Sequence, residues 1–294
     1  MYKPFEIIDG FKFVRNSSAL ICDSIVIEGI LTKEQLEYMQ KRHIVDVTTE
    51  NMTSFDGLRQ YPDIEKLNVT CTLEERIGEI GYTYDPSALY DLPKLNDLSI
   101  SVGEKGKIKV DLSRIPNLRT LACTGSKIIN LNRAVLLEDL DLGHYKEKNL
   151  KSFKDLKNLK FLTLDWASIE SLDGIENLSV LKRLELAYCK RLEDISAIKS
   201  VALTLKWLNI ENCSRISDIS ALGSLKKLER FLIYGNNKIP TIKFLDEMNA
   251  LQEAYFDINV LDGDLTPCLR LKAADCFVSR KHYNLKNNQL PKES

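Results

Sequence analysis

The sequence predicts an α/β solenoid, in which short repeated units stack side by side around one elongated core. The stretch 181–222 contains one apolar pattern twice. Its first copy has Leu181, Leu184, Leu186, Cys189, Leu192 and Ile195, and its second copy has Leu205, Leu208, Ile210, Cys213, Ile216 and Ile219. The first position recurs, mostly at steps of 19 to 24 residues, at Arg42, Ile64, Leu95, Leu118, Leu137, Leu159, Leu181, Leu205, Leu228, Leu251 and Leu271. A short period is typical of solenoids, because each repeat adds one structural unit to a shared core.

The spelling of each unit, L-x-x-L-x-L-x-x-N/C-x-L, resembles the leucine-rich repeat in its short form of about 22 residues. The run Leu-Asp-Gly-Ile-x-x-Leu at 172–178 and the Asp-Ile-Ser runs at 194–196 and 218–220 are similar to bacterial internalin-type and phosphatase-regulator-type repeats. The resemblance implies a horseshoe with a parallel β-sheet on its concave face and short helical or 3-10 turns on its convex face. It also implies a protein that binds a partner, without naming that partner.

Residues 1–41 do not carry the repeat, and we predict that they form an N-terminal cap. The end of a solenoid exposes its core unless a different element covers it. The alternating residues of 11–13 and 25–27 favour two short strands. Thr32 and Gln35 match a capping box that begins a helix, with Leu36, Tyr38 and Met39 on its apolar side.

The repeats are predicted to fill residues 42–278, in about ten or eleven units. The step from Ile64 to Leu95 is 31 residues, which places about nine extra residues in the stretch 78–93 of the insertion 72–93. We interpret them as an excursion on the convex side. The last segment, 279–294, is polar and mildly basic, and we expect a frayed tail there.

Composition narrows the classes of function. The net charge of −1 disfavours general nucleic-acid binding, which needs a basic excess. No run reaches the roughly 18 apolar residues of a membrane helix, and the N-terminus has no secretion signal. The seven cysteines are an odd number without framework spacing, which favours a reduced, cytoplasmic protein. We expect the protein to be a monomer that binds a protein partner, and to bind neither nucleic acid nor a membrane.

The repeat register predicts which side chains face outward. Because neighbouring side chains of a strand point to opposite faces, positions 4 and 6 of each unit lie in the core and positions 3, 5 and 7 lie on the concave face. In the first, degenerate unit this numbering puts outward residues at 44, 46 and 48 and inward residues at Val45 and Val47. Trp207 is predicted to face out, since a one-residue slip would bury Asn209 and Glu211.

From residue 139 onward the predicted concave face combines acidic and aromatic side chains. Exposed aromatic clusters ringed by polar groups are typical of binding hot spots. The candidate partner-binding residues are the aromatics Phe161, Trp166, Tyr188, Trp207, Tyr234 and Tyr255, the acids Asp139, Asp141, Asp165, Glu185, Glu211, Glu253 and Asp257, and the bases Arg183 and Arg230.

These features favour a binding module with a basic protein partner. The resemblance to small stand-alone bacterial repeat proteins implies an inhibitor or immunity protein that neutralises a toxin, often a basic nuclease. The phosphatase-regulator resemblance implies a second possibility, a regulatory subunit that docks on an enzyme.

Catalysis is the least favoured alternative. His43, His144 and His282 share no motif, and we expect no enzyme activity, no metal site and no cofactor. A hydrolase or a metal site at Asp139, Asp141 and Asp165 would need a pocket, which a shallow sheet seldom supplies.

Overall fold

The computed structural model describes residues 5–14, 23–71, 78–235 and 238–292. The chain divides into two compact units, residues 1–137 and 138–294, which are described in turn. None of the helices in the described ranges is both long enough and apolar enough to cross a membrane.

The first unit contains nine strands, counted over the described residues. They are β1 Phe5–Ile8, β2 Phe11–Val14, β3 Ser24–Glu28, β4 Asp46–Glu50, β5 Lys66–Thr70, β6 Asp97–Ser101, β7 Val110–Asp111, β8 Thr120–Thr124 and β9 Ile128–Ile129. Helix α1 is Lys33–Arg42, and the 3-10 turns are Asp56–Gln60, Ser87–Asp91, Leu112–Arg114, Gly125–Lys127 and Leu131–Arg133. Strands β1, β2 and β3 are antiparallel neighbours, and β3, β4, β5, β6 and β8 run parallel. The short strands β7 and β9 pair separately, in the return segments.

Within its described residues, 5–14 and 23–41, the N-terminal segment forms the two strands and the helix predicted for it, together with the additional strand β1. Thr32 and Gln35 make both hydrogen bonds of a capping box at the start of α1. Met39 is the buried residue on the inner side of the helix, which ends at His43 in a left-handed conformation. Strand β3 then joins the sheet in parallel with β4, so the core of the first repeat is covered.

The predicted numbering of the first repeat is wrong by two residues. Asp46 of β4 aligns with Lys66 of β5, and Thr48 aligns with Asn68. Asp46 therefore occupies position 3, not position 5, and Ile44 lies before the strand. Val47 is inward as predicted, and Thr49 takes the second inward position. Asp46 and Thr48, which were predicted to lie on the open face, are buried as well. The error arose because this unit has no leucines that mark the first position.

Residues 78–93 of the insertion pair with return segments of the first unit, as predicted for an excursion away from the main sheet, whereas residues 72–77 lie outside the described ranges. Strand-like pairings join Asp85 to Ser54 and Thr83 to Lys107. Beside it, the turn 103–106 is held by Lys127, which is only 4% exposed. Its amino group donates hydrogen bonds to the carbonyls of Gly103 (3.1 Å), Glu104 (3.4 Å) and Gly106. These bonds satisfy the buried cation, which would otherwise destabilise the fold.

The second unit also contains nine strands within the described ranges. They are β10 Asp139–Gly143, β11 Phe161–Asp165, β12 Arg183–Ala187, β13 Trp207–Glu211, β14 Arg230–Tyr234, β15 Lys238–Ile239, β16 Glu253–Phe256, β17 Asn259–Val260 and β18 Ala273–Cys276. Its 3-10 turns are Lys151–Phe153, Ile175–Asn177, Ser196–Val201, Ser220–Ser224, Lys243–Glu247, Thr266–Arg270 and Asn287–Gln289. Strands β10, β11, β12, β13, β14, β16 and β18 pair in parallel in this order, while β15 pairs with β17.

The core of this unit has the predicted alternation. On β13, Leu208 is 0% and Ile210 1% exposed, whereas Trp207, Asn209 and Glu211 retain accessible surface. The return segments close the core with Ile169, Leu172, Ile175, Leu178, Leu192, Ile195, Ile198, Ile216, Ile219 and Leu222. Each such burial stabilises the fold by about 1.5–3 kcal/mol, which fixes the strand register.

The repeated signatures of the return segments have local structural causes. Asp194 and Asp218 accept hydrogen bonds from the backbone N–H of Ser196 and Ser220, each at 2.8 Å, and so cap the following 3-10 turns. The same bonds lower the pKa of both carboxyls. Gly174 has a φ of +102°, and a Cβ there would lie 2.3 Å from the Leu150 carbonyl carbon. Only glycine fits this position of the Leu-Asp-Gly-Ile run.

The polar C-terminal segment is an ordered cap, so the expectation of fraying is wrong for residues 279–292. Two N–H groups on the outer edge of β18 form hydrogen bonds with this segment. Ala274 N–H donates to the Pro291 carbonyl (2.8 Å), and Cys276 N–H donates to the Asn287 side-chain oxygen (2.9 Å). Lys292 forms an ion pair with Asp275 at 2.8 Å. An open sheet edge leaves strong donors unpaired, and these polar residues pair them.

Asp46 of the first unit gives the fold a pH-dependent stability. Desolvation raises the pKa of this buried carboxyl to about 6; Asp23 and Asp97 add to the increase, while a hydrogen bond from Ser24 and the charge of Lys66 oppose it. The folded state therefore binds the proton more tightly than the unfolded chain, and stability falls as pH rises from about 4 through about 6.

We expect Asp46→Asn to remove this dependence. As pH rises across that window, the melting temperature of the variant should increase relative to that of the wild type. The increase should correspond to a relative stabilisation of at most about 3 kcal/mol. Thermal unfolding followed by circular dichroism at about pH 4, 5, 6 and 7 measures it. A difference that stays constant across the window would contradict the assignment.

Candidate functional site

The open face of the second unit carries the candidate residues in the predicted columns. Position 3 aligns Asp139, Phe161, Arg183, Trp207, Arg230, Glu253 and Ala273 on adjacent strands. Position 5 aligns Asp141, Thr163, Glu185, Asn209, Leu232, Tyr255 and Asp275, and position 7 aligns Gly143, Asp165, Ala187, Glu211 and Tyr234. The sheet thus brings the candidate residues onto one surface, about 4.8 Å apart from strand to strand.

Both arginines of the candidate set already interact with neighbouring side chains on the same face. The Arg183 guanidinium lies 4.2 Å from the ring centre of Trp207 and forms an ion pair with Glu185. Stacking against an arginine covers one face of the Trp207 ring, which is only partly exposed.

A second arginine repeats this arrangement on β14. Arg230 lies 5.2 Å from the Tyr255 ring centre, and its Nε is 3.2 Å from Glu253. The Tyr255 hydroxyl also donates to Glu253 at 3.2 Å. Arg230, Tyr255 and Glu253 therefore use their polar groups on one another. Their contacts stiffen the face and leave fewer free groups for a partner.

An aromatic ladder follows the strands at position 8, on the rim of the face. Trp166 stacks on Tyr188 with ring centres 4.6 Å apart and planes 3° apart, and His144 lies 6.4 Å from Trp166 on the other side. The Tyr188 hydroxyl bonds to Glu211, which raises the pKa of that tyrosine. We call His144, Trp166 and Tyr188 the rim ladder.

The rim ladder has an unusual backbone. His144, Trp166 and Tyr188 each have φ of 53°, and Asn212 in the next repeat has 51°. This left-handed conformation costs bulky residues roughly 1–3 kcal/mol each. It is retained because each N–H continues the ladder of hydrogen bonds, for example Trp166 N–H to the Ala187 carbonyl at 2.9 Å. Ring stacking contributes about 0.5–1.5 kcal/mol beyond burial.

The acidic residues of the face fall into two groups. Glu185 and Glu253 pair with arginines, Glu211 accepts from Asn212 (3.3 Å), and Asp257 accepts from the Gly235 N–H (2.6 Å). Within the described residues, Asp141 and Asp165 form no ion pair and no hydrogen bond with another side chain. One buried oxygen of Asp165 has no hydrogen-bond partner at all in that part of the chain.

Like charges and desolvation act together on these two carboxyls. Desolvation is the largest cause of the raised pKa of Asp141, and Asp165, Asp139 and Glu185 raise it further. Desolvation and Glu211 also raise the pKa of Asp165, while His144 and the Trp166 N–H oppose the increase. The face therefore holds uncompensated negative charge around β10 and β11.

His144 and Phe277 were not among the predicted site residues. His144 occupies position 8 of its repeat, seven residues after Leu137, so the register alone could have placed it beside Trp166. Phe277 is 58% exposed, and its ring centre is 5.9 Å from that of Tyr234 on the rim. Phe277 lies six residues after Leu271, so the register also places it at position 7 of its repeat.

The histidines and the described cysteines of the chain lie in separate places. No group of three or more His, Cys, Asp or Glu side chains with metal-binding geometry occurs in the described ranges. His144 is in the rim ladder, whereas the Nε2 nitrogen of His282 donates a hydrogen bond to the Val260 carbonyl oxygen (2.9 Å) in the C-terminal cap. The six cysteines that the structure describes are all buried and free.

Solved structures provide the comparison for this arrangement. The internalin InlF from Listeria monocytogenes aligns over 86% of this chain and 80% of its own length, with a TM-score of 0.57 and 18% sequence identity. The fold is that of a leucine-rich-repeat protein. This agrees with the repeat pattern, with the parallel register of the strands and with the short 3-10 return turns.

Two further leucine-rich-repeat structures differ in what they bind. TLR13, solved as a complex with ssRNA13, aligns over 85% of this chain and 42% of its own, with a TM-score of 0.56 and 17% identity. The Arabidopsis receptor kinase HAESA was solved with the peptide hormone IDA and the co-receptor SERK1. It aligns over 91% of this chain and 47% of its own length, with a TM-score of 0.53 and 15% identity. No protein-family model matches the sequence, and the search of curated proteins returned no match. Identities this low establish the fold alone.

The charge coupling on the face is open to a direct test. Asp165→Asn removes a negative charge beside Asp141, so we expect the pKa of Asp141 to fall toward its ordinary value while desolvation keeps it partly raised. Carboxyl-carbon NMR titration measures this shift, and Asp218 in the return segment should titrate unchanged in the same spectra. An Asp141 pKa that does not move would show that the two carboxylates do not interact.

Proposed function

We propose that this leucine-rich-repeat protein is a non-catalytic binding module that captures a basic protein partner on the open face of residues 138–277. The observation that carries the proposal is the alignment of the seven candidate carboxylates with only two guanidiniums on that face, in a chain whose net charge is −1. The carboxylates are Asp139, Asp141, Asp165, Glu185, Glu211, Glu253 and Asp257, and the guanidiniums are Arg183 and Arg230. An eighth carboxylate at position 5, Asp275, is paired with Lys292. Surplus negative charge attracts a positively charged partner over long range and rejects an acidic one.

Aromatic side chains supply the second component of the proposed interface. Phe161 and Trp166 are 39% and 48% exposed, values that are high for large apolar residues. Such anchors usually provide most of the binding energy of a protein interface, while the charges set the rate and the choice of partner. The face combines both features on a rigid sheet.

The neighbours in structure leave the class of ligand open, since one is solved with RNA and another with a peptide. The negative charge of the open face favours a protein ligand over a nucleic acid. A phosphate backbone brings one negative charge per nucleotide and would be repelled by the carboxylates. A basic polypeptide segment has the opposite charge and can use the aromatic anchors as well.

Neutralisation of a basic protein, such as a toxin, is the more specific form of the proposal. Its support is the charge of the face and the resemblance of the repeats to small bacterial proteins. The cytoplasm is the proposed compartment, because free buried cysteines suit a reducing environment, and the protein is proposed to act as a monomer. A regulatory subunit docking on an enzyme through apolar contacts is the second candidate, which the exposed Phe161 and Trp166 favour.

Salt dependence separates these two candidates once a partner has been isolated by affinity capture and purified. Association with a basic partner should slow by about tenfold or more between roughly 50 and 500 mM NaCl, because ions screen the attraction. Dissociation should change much less. Surface plasmon resonance measures both rates, and an association rate independent of salt would favour apolar docking instead.

Charge variants locate the effect on the face. Asp141→Asn combined with Glu211→Gln should lower the association rate at low salt. Glu147→Gln combined with Glu193→Gln removes the same charge from return segments, where both residues are exposed, and should leave the rate near that of the wild type. Equal effects of the two pairs would contradict binding at the open face.

A further inference from the structure

The six candidate aromatics differ in what already covers them. Trp207 and Tyr255 each lie under an arginine of the same face, and the Tyr255 hydroxyl bonds to Glu253. Tyr188 stacks on Trp166 and has Lys190 5.5 Å from its ring centre. These rings contribute little uncovered surface to a partner.

Phe161 and Trp166 are the two aromatics of the candidate set with large exposure. Phe161 makes no ring contact with any described residue, and Trp166 is still 48% exposed beside its stacking partners. Both belong to the β11 repeat, at positions 3 and 8. Five residues of extended chain separate them by on the order of 15 Å.

The uncompensated carboxylates lie between these two rings. Asp165 is on β11 itself, and Asp141 is on the adjacent strand β10, opposite Thr163. Asp165 is flanked at position 7 by Gly143 and Ala187, neither of which has a side-chain group that could pair with it. One of its carboxylate oxygens is buried, and the residue as a whole remains partly exposed. Of the remaining acids, Glu185, Glu211, Glu253 and Asp257 are bonded to arginines, amides or backbone N–H groups, as described above. Asp139 lies on β10 opposite Phe161, at the same end of this segment.

We infer that the β11 repeat is the centre of the interface, and that its occupant is an extended basic segment of a protein partner. This segment presents one arginine or lysine to Asp165 and Asp141, between two apolar side chains that contact Phe161 and Trp166. The inference rests on the proposed function and specifies its location. It assigns a supporting role to Trp207, which the repeat register predicted to face outward.

Charge complementarity selects this occupant. A second copy of the chain would place another acidic face against these carboxylates, which like charges disfavour. A purely apolar segment would leave Asp141 and Asp165 desolvated without a partner, which destabilises a complex. An arginine supplies up to five donors to both carboxylates and retains apolar contact along its stem.

The two tryptophans of the chain provide a direct readout. We would titrate ¹⁵N-labelled full-length protein with the peptide acetyl-Leu-Gly-Lys-Arg-Gly-Leu-amide and follow the two indole N–H signals, assigned with Trp166→Phe and Trp207→Phe. We expect a saturating shift of the Trp166 signal and at most a third of that shift for Trp207. The same peptide with citrulline and norleucine in place of arginine and lysine should cause no saturating shift.

Variants decide between this inference and the broader proposal. Asp165→Asn should weaken peptide binding by about tenfold, as expected for loss of a charge-assisted contact of about 1.4 kcal/mol, while Glu193→Gln should leave it unchanged. A larger shift at Trp207 than at Trp166 would overturn the inference and leave the open face as the binding surface. Saturable binding that shifts neither indole would count against both, and the absence of saturable binding would overturn the inference.

Discussion

Burial of the leucine columns determines the direction of the side chains in the repeats of residues 138–294. Each parallel strand places two apolar residues in the core, and the return segments cover them from behind. Moving β13 by one residue would expose Leu208 and Ile210 and would bury Asn209 and Glu211. A polar group buried without a partner costs about 1–3 kcal/mol, in addition to the lost apolar burial. The open face is therefore composed of the positions that the core does not use.

This constraint separates stability from binding on the same short strand. The inward positions must remain apolar, whereas the outward positions can carry any residue that tolerates a half-exposed sheet. The face consequently includes like-charged neighbours and exposed rings that contribute little to the fold. Among the described residues of 138–294, the non-glycine residues with a left-handed backbone all lie at the rim, at position 8 of successive repeats. Stacking of His144, Trp166 and Tyr188 offsets part of the strain of this conformation.

Much of the architecture was predictable because long-range packing here repeats a local pattern. The leucines of the 181–222 stretch determined the register of β12 and β13, and with it the columns of the open face. The first repeat was misnumbered because Ile44 and Val45 offer no leucine pattern. The C-terminal cap was missed because its contacts are polar, as in the bond from Cys276 to Asn287. Composition does not distinguish an ordered polar cap from a frayed end.

The sequence predicted which residues lie on the open face, but not how their side chains contact one another. Register placed Arg183 next to Trp207, but only side-chain geometry reveals that the guanidinium covers the ring. The same limitation hid the contrast between the paired Glu185 and the uncompensated Asp165. Periodicity states which face a residue occupies, whereas its partners depend on rotamers and on charges from neighbouring strands.

The most direct test compares two adjacent residues of β13 by chemical denaturation. Leu208→Ala should lower the free energy of unfolding by about 2–5 kcal/mol, because it leaves a cavity in the core. Trp207→Ala should lower it by about 1 kcal/mol or less, since mainly the contact with Arg183 is lost. Equal destabilisation by the two substitutions, or the reverse order, would contradict the alternation on which the fold and the open face both depend.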